Sequence, residues 1–191
     1  LQAILSSLEN KEFQKIKKQL RKNQYLITRH IIKKVVESLY NTYLQKIEIV
    51  RKDNELLIFT GDGFLDNFFL STSYSYNYGV IFISKKFKVG VDIEKIKPYK
   101  YPSFLKYFSD NENRFIKRSA HSLMAFLKIW TLKECLHKMK SSKQENLVET
   151  ISNSEFIIGK DKISCKIGRT KSQLMFGQIS SKDHIISYCI N

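Results

Sequence analysis

The spacing of apolar residues switches at Lys46 from helical to alternating, returns to helical beyond Pro98, and alternates again after about Lys140. Few features restrict a fold so strongly, because a 3.6-residue stripe and a two-residue alternation cannot occupy one element. Phe13, Ile16 and Leu20, then Ile27, Ile31, Val35 and Leu39, recur at helical spacing and give the first forty residues an apolar face, with lysines and arginines elsewhere. KIEIVRK and ELLIFT flank Asp53-Asn54 as a hairpin, and GDGF from Gly61 to Phe64 makes a second turn. FFLSTSYS and GVIFIS, joined around Asn77, and then FKVGVDIE complete the first strand set.

Past Pro102, SFLKYFS reads as a short helix, and Ser109-Asp110 supplies N-cap chemistry for the next one. The longest helix runs from about Ser122 to Lys140. FIIG, KISCKIG, QLMFGQIS and HIISYCI then suggest a closing antiparallel sheet. The order helices, strands, helices, strands predicts an α+β fold of two halves, residues 1–84 and 85–191. Each half is too small to bury a full core alone, so together they make one domain.

The formal charge of +15 points to an anionic partner: nucleic acid, a membrane surface, a phosphorylated ligand or an acidic protein. On charge alone, nucleic acid takes the largest share. No apolar run approaches the roughly 18–20 residues of a membrane span, and the amphipathic N-terminus lacks a secretory pattern. The chain starts at Leu1 without a methionine, so a few preceding residues are expected. Cys135, Cys165 and Cys189 form no CxxC pair and are expected as buried thiols in a reducing cytoplasm.

Two stretches carry chemistry. In KVGVDIEKIK, Asp92 and Glu94 stand two residues apart on a strand and so share one face, while Val91 and Ile93 turn to apolar packing. Two carboxylates so close repel unless a cation sits between them, and such hard oxygen donors suit magnesium. A solvated strand with Lys95 and Lys97 as partners explains the pair too. In WTLKECLHK, Trp130, Glu134 and Lys138 form one i, i+4 ridge with Lys133 beside them. Glu134 could be a third metal ligand or a base, and Lys138 a phosphate contact; an ordinary helical Glu–Lys pair is the plainer account. A third stretch, LSTSYSYN, places Ser73 and Ser75 on one strand face and Tyr74 on the other. There is no GxGxxG or GxxxxGK[ST], and the histidines have no metal spacing.

Taken in order, Ser73-Tyr74-Ser75, Gly90-Val91-Asp92-Ile93-Glu94, Phe108-Ser109-x-x-Glu112 and Trp130-x-x-Lys133-Glu134-x-x-x-Lys138 resemble the larger, surfactin-type class of 4′-phosphopantetheinyl transferases. The likeness covers about residues 70–140; Arg29 in the leading helix resembles that family's basic first half less specifically. The resemblance implies a monomeric pseudo-dimer of two α+β halves with the active site in their cleft. It also implies transfer of phosphopantetheine from coenzyme A to a serine of a carrier protein, with release of 3′,5′-ADP. Asp92, Glu94 and Glu134 would then hold Mg²⁺, with Glu134 or a metal-bound water taking the serine proton. Lys138 would stabilise the pyrophosphate, and Ser73, Tyr74, Ser75, Arg29 and Lys133 would contact coenzyme A. Acidic carrier proteins and a polyanionic co-substrate suit a basic enzyme, and leave nucleic acid and membrane as the poorer partners.

The chain departs from the family pattern at three places. The histidine of S-H-S is Tyr74, the upstream G-K-P reads Gly61-Asp62-Gly63, and the usual glycine loop after the last lysine is Ser141-Ser142-Lys143-Gln144. All three bear on nucleotide binding more than on the metal site. A basic nucleic-acid-binding domain and a silent relative that still docks carrier proteins are the other readings.

Overall fold

The computed structural model describes residues 2–52, 55–98, 101–140, 146–159 and 162–191. The turn expected at Asp53-Asn54 and the loop at Ser141–Gln144 lie outside them. The fold is mixed α+β, with helices and antiparallel sheets, and the chain divides into two compact units, Leu1–Phe68 and Phe69–Asn191. This parting lies before Phe69, whereas the sequence reading puts it near residue 85.

The first unit contains α1 (Ser7–Lys15), α2 (Gln19–Tyr40) and a sheet of β1 (Glu48–Lys52), β2 (Glu55–Thr60) and β3 (Gly63–Phe64) in that order. Helix α1 starts on a capping box in which Ser6 accepts from the Glu9 N–H and Glu9 accepts from the Ser6 N–H. The apolar row expected on α2 is displaced. Ile27, Ile31 and Leu39 are exposed, while Thr28, Arg29, Ile32, Lys33 and Val36 are buried. The reason is electrostatic: Glu9 is itself buried, and only a cationic side of α2 can neutralise it. Lys33 Nζ lies 2.6 Å from Glu9 Oε2 and donates to the Ile4 carbonyl, while Arg29 Nε lies 3.3 Å from Glu9 Oε1.

In the second unit, β4 (Phe69–Ser75) and β5 (Tyr78–Ser84) form a hairpin, followed by β6 (Val89–Lys95). After the short helix expected near here, a 3₁₀ segment at Tyr101–Tyr107, come α3 (Asp110–Arg118), α4 (Ser122–Lys140) and α5 (Leu147–Asn153). The last strands are β7 (Ser154–Ile158), β8 (Ile163–Ile167), β9 (Thr170–Lys171), β10 (Met175–Ser180) and β11 (His184–Ile190). They do not close one sheet. β7, β8 and β9 form their own, while β10 and β11 recruit β6 in the order β10-β11-β6.

Helix α4 is apolar nearly all round, with Phe126, Ile129, Leu132, Cys135 and Leu136 buried, so it forms the centre of this unit. Trp130 is fixed by rings, stacked on Phe126 and edge-on to Phe104. Helix α4 also lies directly on β6: a Cβ at Gly90 would fall 1.9 Å from the Cys135 carbonyl oxygen. Only glycine permits that approach. The three cysteines are buried and unbridged, and burial pushes the Cys165 thiol up to about 12. No helix among the described residues is long and apolar enough to cross a membrane.

Candidate active site

Three serines on one face of β4 bring β6 into place. The Ser71 hydroxyl accepts from the Val91 N–H at 3.1 Å, and the Ser75 hydroxyl accepts from the Lys95 N–H at 3.0 Å. These N–H groups lie on the edge of β6 that β11 does not use, so side-chain oxygens there stand in for a missing ladder. Ser73, between them, reaches a side chain instead. Its hydroxyl donates to Asp92 Oδ1 at 2.7 Å.

From the other side, α4 delivers Lys138. Its ammonium lies 2.7 Å from Asp92 Oδ1 and 2.9 Å from Ser73 Oγ, closing a ring of three polar groups. Asp92 is 3% exposed, and its Oδ2 has no hydrogen-bond partner among the described residues. A buried carboxylate oxygen left in this state is costly unless something else binds it.

Glu94 and Glu134 are coupled to the same group. Burial, then repulsion from Asp92, raises Glu94 above the ordinary carboxylate range. Glu134 is pushed up to about 7 by burial first, then by Asp92, with Lys138 opposing and Glu94 adding to the rise. Asp92 and Glu94 from one strand and Glu134 from α4 therefore act on one another, and any cation shared among them would relieve both shifts. Among the described residues no group of three or more His, Cys, Asp or Glu side chains is drawn together as a ready-made metal cage. The donor set nonetheless fits a hard divalent cation: all oxygen, two raised carboxyls, and one buried oxygen without a partner.

Lys133 is elsewhere. It is wholly buried and donates to the Ile151 and Ser154 carbonyls at 2.8 and 2.5 Å, with Glu112 Oε1 at 2.9 Å. Burial lowers the basicity of its amine, and Glu112 works against that. Glu112 also completes the capping box with Ser109 at the head of α3 and accepts from the Phe156 N–H. The Ser109 cap forms as the sequence predicts, while Lys133, expected among the coenzyme A contacts, is buried against Glu112: one residue of offset on a helix is about 100° of rotation, enough to turn it into the core.

Arg29 is likewise buried, with its guanidinium 4.5 Å from the Tyr25 ring and its Nε by Glu9, all within the first unit. Tyr74 stands on the face of β4 opposite the serines, its ring lying across Gly79 on β5. Ser71 is the residue that sequence reasoning passed over. Its signal was present as Ser-x-Ser-x-Ser, a polar row on what becomes a buried strand face.

A family model described as the 4′-phosphopantetheinyl transferase superfamily matches residues 88–189, just over half of the 191-residue chain. No curated protein sequence matches it.

Proposed function

The chain belongs to the 4′-phosphopantetheinyl transferase superfamily, and from that premise we propose that it is a surfactin-type member that loads a carrier protein. It would transfer 4′-phosphopantetheine from coenzyme A to a carrier serine and release 3′,5′-ADP. The observation that carries this reading is the junction of β6 and α4. There Asp92, in contact with Lys138 and Ser73, is coupled to Glu94 and Glu134.

Asp92, Glu94 and Glu134 are the residues that would hold Mg²⁺, which when bound supplies charge neutralisation and Lewis acidity at the pyrophosphate. In the transfer the carrier serine oxygen forms a bond to the β-phosphorus, and the bond from that phosphorus to the bridging oxygen breaks. Glu134, which a bound cation would keep ionised, is suited to take the serine proton. Lys138 is part-exposed, so its ammonium can offset charge on the departing phosphate. Ser75 and Tyr74 remain candidates to border the nucleotide. Arg29 and Lys133 are left out of this reading, since both are buried in ion pairs. The +15 charge supports an acidic carrier partner and a polyanionic co-substrate.

Incubation with coenzyme A, Mg²⁺ and several apo carrier proteins tests the proposal. A mass gain of one phosphopantetheine on a carrier is the expected result. Docking to carriers without transfer would identify a silent relative, and salt-sensitive nucleic-acid binding without transfer would favour a basic binding domain.

A further inference from the structure

Ser71, Ser73 and Ser75 share one buried face of β4, yet only the middle hydroxyl leaves the backbone of β6 alone. The outer two fix the register of β4 on β6 through the Val91 and Lys95 N–H groups. That register places Ser73 against Asp92 and nothing else on β6. A one-residue slip would turn all three hydroxyls to the opposite face.

Asp92 itself has a soft joint. The torsion that orients an aspartate carboxylate is broad and nearly two-fold, so its two oxygens exchange easily unless one is held. Two donors converge here on Oδ1, from Ser73 and from Lys138, while Oδ2 has no partner among the described residues. The donors differ in kind. Lys138 is a long, part-exposed side chain whose ammonium is also suited to incoming phosphate, whereas Ser73 is short and 6% exposed. Only the serine can hold Oδ1 throughout a turnover.

We propose that Ser73 is a positioning residue that fixes Asp92 through Oδ1, so that Oδ2 is the oxygen presented to a divalent cation. This rests on the reading above in taking Asp92 as a cation ligand, and it assigns Ser73 to the carboxylate rather than to coenzyme A. Hydrogen bonds that orient a metal ligand typically matter about 10–100-fold in metal affinity.

The test titrates the full chain with Mn²⁺ alone, without coenzyme A or carrier, following bound metal by electron paramagnetic resonance. Ser73→Ala is expected to weaken Mn²⁺ binding by about 10–100-fold, while Ser73→Thr, which keeps the hydroxyl, restores most of it. Ser71→Ala removes a neighbouring hydroxyl bond to the same strand and is expected to lower the melting temperature with Mn²⁺ affinity unchanged. If Ser73→Ala fails to fold, Ser73→Cys, of similar size and a weaker donor, carries the same expectation of lost affinity. Wild-type affinity in a folded Ser73→Ala or Ser73→Cys protein overturns the proposal, as does an equal loss in Ser71→Ala, which would mark a general strand defect. A wild-type chain that takes up no Mn²⁺ at all would instead remove the metal reading itself, and this inference with it.

Discussion

The two units carry one structural device in duplicate. In the first, a Ser6–Glu9 capping box opens a short helix, and Glu9 is neutralised by Lys33 from the long helix that follows. In the second, a Ser109–Glu112 box opens a short helix, and Glu112 is neutralised by Lys133 from the next long helix. Both lysines also donate to backbone carbonyls. The residues just beyond differ. One and five positions after Lys33 stand Lys34 and Ser38; after Lys133 stand Glu134 and Lys138. The shared part is therefore scaffolding, and the part found in one unit only is where chemistry is to be sought. Lys133 thus has a counterpart in Lys33, with the same kind of partners.

The largest effects are expected at the differing positions. Glu134→Gln is expected to lower transfer roughly 10³-fold, the scale of losing a general base or metal ligand. Lys34→Gln, on the exposed side of α2, should leave transfer unchanged; both rates are read by mass spectrometry of the carrier. Equal losses would show that the units do not divide the labour in this way.

The shared positions should respond in stability instead. Lys133→Met strands the buried Glu112 carboxylate and is expected to cost about 3–5 kcal/mol in urea unfolding; Lys33→Met should cost less, because Arg29 still faces Glu9. Adding Glu112→Gln to Lys133→Met should recover part of the loss, because the stranded charge disappears. A Lys133→Met protein of normal stability but weakened coenzyme A binding would return that lysine to the site.

The pH response should differ in the same way. The folded-state pKa of Glu134 is raised to about 7 from an ordinary 4.5, so the native state binds a proton that the unfolded chain has released. Stability from this group is full below 4.5 and falls as pH rises through about 7, by roughly 1–3 kcal/mol. Glu134→Gln should flatten the stability trend, and saturating Mg²⁺ should oppose it. A wild-type stability curve that rises between these values would contradict the assignment.

Tyr74→His, which restores the family's residue, should have the smallest effect. A part-exposed cation beside a phosphate is worth about 1 kcal/mol or less, so coenzyme A should bind at most a few-fold tighter. A large rise in its KM would place Tyr74 elsewhere than the nucleotide.

Much of this was legible in the sequence, and the exceptions have physical causes. Alternation along Val89–Lys95 puts Asp92 and Glu94 on one face and buries Val91 and Ile93, as found. Ser109 announces its helix. The buried face of α2 departs from its apolar row because apolar spacing says nothing of a buried acid elsewhere that needs Arg29 and Lys33. The split of the closing strands into two sheets was hidden for a related reason: β6 pairs with β11 across some ninety residues of chain. The bond of Ser73 is not legible in its own stretch because its partner, nineteen positions away, belongs to another element.

Gly90 can be regarded as a spacer of fixed thickness. Its missing side chain sets how high α4 rides above β6, and hence the reach of Lys138 and Glu134 toward Asp92. A methyl group there would meet the Cys135 carbonyl at 1.9 Å and force helix and strand apart by ~1 Å. Displacement on that scale can cost about 10²-fold in rate without altering any group that touches substrate. The spacing of helix on strand is thus written in the one residue of β6 that has no side chain.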